Sequence, residues 1–337
     1  MKPIWSYFIQ LGHNMWRDAT SRVEFRGPLQ TQVTGRYFDT MYTDREVWRE
    51  VIDYLPSCGF NMVVIDVGEG LQYESHPEIS VPGAWSREEL RAELARMREM
   101  GLEPIPKLNF SCYHDEWLGE YSRMIGTRKY YEVVADLIDE VCEVFDDPRL
   151  FHLGLDEEYV PDHRKAVTVI RSEDLWDHDL YFYIDCLHKH GVRPWIWADP
   201  HRAHTESFEK RVPKECILSE GCYERLVRRE RIEAFANLRG FNSMLGLADC
   251  GFDQIPCGTN WVGAARKAAN IGANDVIGKL VKLGREVIAD ERLLGFMMAP
   301  WASCNNEKNT NVNLEGVDLF ADALEGKIAQ PGPYIPR

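Results

Sequence analysis

DREVWREVIDYLPSCGFNMVVIDVGEG, residues 44–70, contains one complete structural unit. Its first half, to Gly59, carries apolar residues at helical spacing and stops at a glycine. Its second half, FNMVVIDVGEG, is a β-branched run with no polar alternation until Asp66. Such a run reads as a strand buried on both faces, as in a parallel sheet. A helix therefore feeds directly into a buried strand, which then opens into a glycine-rich exit.

The unit recurs along the chain. Upstream lies KPIWSYFIQLG (2–12), a first strand. Downstream, the helical pattern SREELRAELARMREMG (86–101) has a Ser N-cap, a Glu three residues on and a closing Gly. LEPIPKLNF (102–110) follows as a third strand and RLFHLGLDEE (149–158) as a fourth, with a helix over 128–147 between them. Further strands read as VRPWIWADP (192–200), ECILSEG (215–221), FNSMLGLADCG (241–251) and LLGFMMAPWASC (293–304). Helical patterns at 174–191, 228–240 and 260–284 separate most of them. Eight buried strands alternating with helices predict an α/β fold, a single (β/α)8 TIM barrel over residues 1–325. A Pro-rich tail, residues 326–337, is expected to lie along the surface. The competing open sheet would need a phosphate-binding glycine turn after its first strand, and LGHNMW has no GxGxxG.

Composition narrows the function. The chain has 337 residues, 45% of them hydrophobic and 28% charged, as in a globular protein. No apolar run reaches 18 residues, so no membrane-spanning helix and no membrane partner is expected. The formal net charge of −15 argues against a nucleic-acid partner, whose phosphates it would repel. The opening residues carry one Lys, a short apolar stretch broken by Ser6 and Gln10 and no small-residue cleavage site, unlike a signal peptide, so a cytoplasmic protein is expected. Nine scattered cysteines without a CxxC pair argue against a zinc ribbon or a disulfide framework. Ten tryptophans and fourteen tyrosines supply flat faces that either fill the core or stack on sugar rings.

In a TIM barrel the active site gathers at the C-terminal ends of the strands. The polar residues there include Arg17, Asp66, His114, Asp156, Glu157, Trp197, Asp199, Glu220, Asp249 and Trp301. Acids and aromatics dominate, and paired carboxylates beside aromatic walls suit glycosidic cleavage. Asp156 and Glu157 end a buried strand, so they stand at the rim as the catalytic candidates. Crowded negative charge there is expected to raise at least one carboxyl pKa. Of Trp195 and Trp197, at most one is expected to face inward, with Trp197 preferred as nearer the strand end. His152 is expected to be a hydrogen-bonded core histidine, whereas His114 and His201 are candidates to touch substrate. Asp249 or Glu220 is an alternative nucleophile. A metal-dependent sugar isomerase with Asp156, His114, Asp199 and His201 as ligands is a further reading, although no HxH or HExxH spacing supports it. A non-catalytic carbohydrate-binding barrel is a third.

FHLGLDEE (151–158) resembles the HxGxDE signature of family 20 glycoside hydrolases, the β-N-acetylhexosaminidases, with His152, Gly154, Asp156 and Glu157 all matching. LEPIPKLNFSCYH, RPWIWADP and LLGFMMAPW are similar to that family's third, fifth and eighth strand ends. The resemblance implies a retaining, substrate-assisted glycosidase for terminal β-linked N-acetylhexosamine or a related sugar. It makes Glu157 the general acid/base and Asp156 the group that orients the 2-acetamido nucleophile. Trp197 and Trp301 become walls of the sugar pocket, and Arg17 the candidate for the family's first-strand sugar-binding arginine. It implies no cofactor and no metal. Lys107 stands where the family usually carries Glu, and the expected seventh strand ends in ADCGF without the family's Tyr.

Overall fold

The computed structural model describes residues 3–16, 38–158, 169, 171–223, 239–260, 274–305 and 307–327. The tail predicted at 326–337 and the candidate Arg17 lie outside or largely outside these residues.

Eight parallel strands form the barrel: β1 (Ile4–Gln10), β2 (Met62–Asp66), β3 (Glu103–Lys107), β4 (Leu150–His152), β5 (Arg193–Trp197), β6 (Ile217–Ser219), β7 (Cys257–Gly258) and β8 (Gly295–Met298). The sheet runs β6-β5-β4-β3-β2-β1-β8-β7. It closes between β6 and β7 through bridges pairing Leu218 with Gln254 and Gly221 with Cys257. The described helices are α1 (Arg45–Tyr54), α2 (Arg87–Glu99), α3 (Arg128–Val144), α4 (Glu173–His188), α5 (Thr205–Arg211), α6 (Arg239–Asp249), α7 (Asn274–Val287) and α8 (Glu307–Leu324). The predicted (β/α)8 barrel is therefore present. The end signals of α2 form a capping box, in which Ser86 and Glu89 each accept from the other's backbone N–H. Among the described residues no helix is long and apolar enough to cross a membrane.

Two apolar layers result. Ile4, Phe8, Met62, Val64, Ile105, Leu150, Trp195, Trp197 and Met297 fill the barrel interior. The alternate strand residues, such as Tyr7, Val63, Phe151 and Ile196, pack outward against the helices. Because side chains alternate with period two, residues i and i+2 share a face. Trp195 and Trp197 accordingly both face inward, which corrects the expectation that only one would. The same parity and the strand register place Gln10, Asp66, Lys107 and His152 side by side on the inner face of β1–β4.

The predicted strand at 241–251 is instead the helix α6. Phe241, Met244 and Leu247 are buried at steps of three, which is a helical period. The seventh strand lies later, at Cys257–Gly258, and is only two residues long. Asp249 therefore ends an outer helix and is exposed. A helix that precedes its strand runs back toward the strand N-termini, so Asp249 lies on the face opposite the mouth. The predicted fourth strand is also too long. It stops at His152, and the acids follow in a loop.

All nine cysteines are free thiols, and only Cys58 and Cys250 are partly exposed. Burial pushes the thiols of Cys112, Cys142, Cys216 and Cys257 up. Iodoacetamide at neutral pH is therefore expected to modify the native protein at Cys58 and Cys250 alone. Peptide mass mapping before and after unfolding checks this.

Candidate active site

The acid loop after β4 owes its shape to left-handed backbone. Gly154 has φ +75°, and a Cβ there would lie 2.0 Å from Asn109 Oδ1, so only glycine fits. Leu155 (φ +67°) and Glu157 (φ +55°) adopt the same region without being glycine. Such residues cost about 1–3 kcal/mol each and persist only where the surroundings impose them. The zigzag separates the three acids. Asp156 and Glu157 meet at His114, whereas Glu158 goes the other way into the protein.

Asp156 is buried. Asn109 Nδ2 donates to its Oδ1 at 2.8 Å, and His114 Nε2 lies 3.2 Å from its Oδ2. His114 Nε2 also lies 2.9 Å from Glu157 Oε2. One buried imidazole thus joins both carboxylates. Burial opposes charge on His114, but Asp156 and Glu157 outweigh it and lift its pKa to about 10. Burial likewise works against the charge of Asp156. The neighbouring His114, with Lys107 and the Asn109 amide, nevertheless holds this carboxyl below its usual range. The Glu157 side chain is 45% exposed, so its free oxygen faces the mouth. Glu158 is buried instead, accepting from Cys112 N at 2.7 Å and from Arg171 Nη1 at 2.5 Å.

Aromatic rings wall this site. Phe8 and Trp301 have centroids 4.9 Å apart, and Trp197 and Trp301 are 5.9 Å apart. Trp301 Nε1 donates to Tyr223 Oη at 3.2 Å. Trp301 sits at φ +51°, a further left-handed residue at the rim. Trp197 Nε1 is buried without a hydrogen-bond partner.

A second polar group gathers at the ends of β5 and β6. Arg202 Nη1 lies 2.9 Å from Asp199 Oδ1, its Nε donates to Glu220 Oε1 at 2.8 Å, and its Nη2 reaches the Gly221 carbonyl at 3.1 Å. Burial lifts the Asp199 carboxyl to about 8; Arg202 opposes this, while Glu220, Asp156 and Glu157 add to it. Among the three acids after β4, the expected raised carboxyl is Glu158, lifted chiefly by burial, whereas Asp156 is lowered. Asp66, on β2, is held by Lys107 Nζ at 2.5 Å. Burial nevertheless raises its pKa.

His114, Asp156, Glu157, Trp197, Trp301, Asp199, Glu220 and Asp66 thus lie along the mouth or its floor. His201 does not join them. Its Nδ1 is 2.7 Å from Ser243 Oγ on α6 and its Nε2 2.9 Å from Glu209 on α5, in the outer layer. The four-ligand metal set therefore does not assemble. Among the described residues, His114, Asp156 and Glu157 alone bring ligand atoms within 4.8 Å of one another. Tyr223 and Asn109 join the site by their contacts with Trp301 and Asp156. Arg202 gave no signal beyond its place in a DPHR turn.

No family model and no curated protein matches the chain. Solved structures do. A β-N-acetylhexosaminidase from Bacteroides fragilis superposes with a TM-score of 0.58 at 14% identity, over 94% of this chain and 66% of that one. A family 20 exo-β-N-acetylglucosaminidase from Vibrio harveyi, in complex with N-acetylglucosamine, gives 0.60 at 15% identity, over 96% and 54%. A catalytic module of the pneumococcal exo-β-D-N-acetylglucosaminidase gives 0.62 at 12% identity, over 97% and 84%. The chain spans less than two thirds of the length of the first two. The likeness is one of fold: this chain forms a (β/α)8 barrel similar to those of the family 20 β-N-acetylhexosaminidases.

Proposed function

We propose that the protein is a glycoside hydrolase for terminal β-linked N-acetylhexosamine or a related sugar, working by a retaining, substrate-assisted mechanism. The observation that carries this reading is the single buried imidazole of His114 bonded to both Asp156 and Glu157. In the first step the Glu157 carboxyl protonates the glycosidic oxygen as the C1–O bond breaks. The 2-acetamido carbonyl oxygen bonds to C1, and Asp156 accepts the amide N–H and steadies the positive oxazolinium. In the second step Glu157, now a carboxylate, takes a proton from water. The water oxygen bonds to C1, and the ring opens with retention. His114 supplies positive charge beside Glu157 whenever that group has given up its proton. Trp197 and Trp301 offer flat faces to the sugar, and the Asp199–Arg202–Glu220 group offers polar atoms to its hydroxyls.

A panel of aryl β-glycosides that differ only at C2 tests this. Turnover is expected to fall by orders of magnitude when the 2-acetamido group is replaced by hydroxyl. Equal turnover of both would remove the substrate-assisted step. Because His114, Asp156 and Glu157 also lie within reach of a common cation, a metal-dependent barrel enzyme is the second reading. Inactivation by chelator with rescue by a divalent ion would favour it, whereas full activity in chelator favours the glycosidase.

A further inference from the structure

A partly enclosed cleft of about 420 Å³ lies beside the acid loop, between Glu158 and the first turns of α4 and α5. Its volume falls in the range of small-molecule sites, about 300–1,000 Å³, and far exceeds the ~30 Å³ share of one water. Arg171 Nη1 and the Cys112 amide both donate to Glu158 Oε1, at 2.5 and 2.7 Å. Oε2 of the same carboxylate is buried and, among the described residues, has no hydrogen-bond partner. Arg171 cannot turn to it, because its other donors go to Asp179, the Phe110 carbonyl, Tyr130 and Tyr183. Trp176, on α4, lines the same cleft, and its buried Nε1 likewise donates to no described residue. A buried acceptor and a buried donor left open on one cavity are costly unless something bonds to them.

This pair selects the ligand. A carboxylate oxygen needs a donor, and an indole N–H needs an acceptor. An ammonium offers donors alone, and a metal ion offers nothing to an N–H. Hydroxyls offer both. Glu158, Glu173 and Asp177 set three carboxyls around the cleft against Arg171 and His204, so an anionic ligand is repelled. Glu173 is held in place by Ser207 Oγ at 2.8 Å and faces His204 Nδ1 at 3.2 Å. Phe208, whose ring centroid lies 6.0 Å from that of Trp176, and Pro200 add apolar faces. Such faces beside hydroxyl-binding groups suit the C–H face of a sugar ring. We propose that this cleft is a second binding site, for a neutral pyranose whose hydroxyls donate to Glu158 Oε2 and accept from Trp176 Nε1. The site lies beyond the glycosidase reading and needs no role for Glu157.

The test titrates the protein with glucose, N-acetylglucosamine and glucuronate while following the indole N–H signals by NMR. Trp176→Phe keeps an aromatic ring and removes the N–H, so the signal missing from its spectrum is that of Trp176. Trp301→Ala, at the rim, removes a wall of the mouth and so separates the two sites. Expected is a saturable displacement of the Trp176 signal by glucose and N-acetylglucosamine that persists in Trp301→Ala. Glucuronate should bind at least about tenfold more weakly, from charge repulsion. Magnetisation transfer from Trp301→Ala to glucose should vanish in Trp301→Ala/Trp176→Ala, with circular dichroism establishing that both are folded. Where the double variant does not fold, the indole titration alone decides. A Trp176 signal that stays still, moves without saturating, or moves only while Trp301 is present would overturn the proposal, as would glucuronate bound as tightly as glucose.

Discussion

Glu157→Gln is expected to lower kcat/KM on aryl glycosides with poor leaving groups by about 10²–10⁴-fold, the usual contribution of a general acid. The substitution keeps the size of the side chain and an oxygen that can still accept from His114 Nε2. Glu157 is also half exposed, so the fold has little to lose. What disappears is the proton for the departing oxygen. The loss should therefore grade with the leaving group, small for a dinitrophenolate that departs unaided and large for a simple phenolate. A steady-state series over phenols of rising pKa measures this slope. A uniform loss across the series, or none, would show that Glu157 does not deliver the proton.

The largest effect on stability is expected at Arg171. Its guanidinium is buried, donating to Asp179 at 2.7 Å, to the Phe110 carbonyl at 2.8 Å and to Tyr183 Oη at 2.8 Å, and it pairs with Glu158. It ties the acid loop to α4 and to the end of β3. Arg171→Met removes the cation but leaves both carboxylates inside, and among the described residues only Tyr131 still donates to Asp179 and the Cys112 amide to Glu158. Removing one partner of a buried pair costs about 3–5 kcal/mol. Urea unfolding at neutral pH should show a deficit of that size. The deficit should narrow at acid pH, where the stranded carboxyls take up protons and no longer bury charge. A deficit below about 1 kcal/mol, typical of an exposed pair, would mean that the cluster is dispensable.

Much of this was legible in the residues. Helix α2 announces itself by its caps, and β2 by an unbroken β-branched run, because both signals are local. The acid loop was legible through its motif, although its left-handed turns were not. Strand β7 was hidden because two residues carry no period, while the helical spacing of Phe241, Met244 and Leu247 lies in a stretch short enough to pass for a strand. That misreading carried Asp249 to the wrong end of the barrel. Arg171 looks like any charged residue before a helix; its donors are matched by groups from 8 to 61 positions away. Arg202 is similar, since Glu220 lies 18 positions on.

Gly154 and Asn109 bear on how the protein can change over generations. The glycine's missing side chain is the room into which the Asn109 amide extends to hold Asp156. Neither position can drift alone. Any larger residue at 154 evicts the amide, and a smaller residue at 109 frees the space but drops the carboxylate. Substitutions at 109 and 154 should therefore co-vary among descendants of this barrel, and a descendant that has lost both has abandoned the Asp156 site with them.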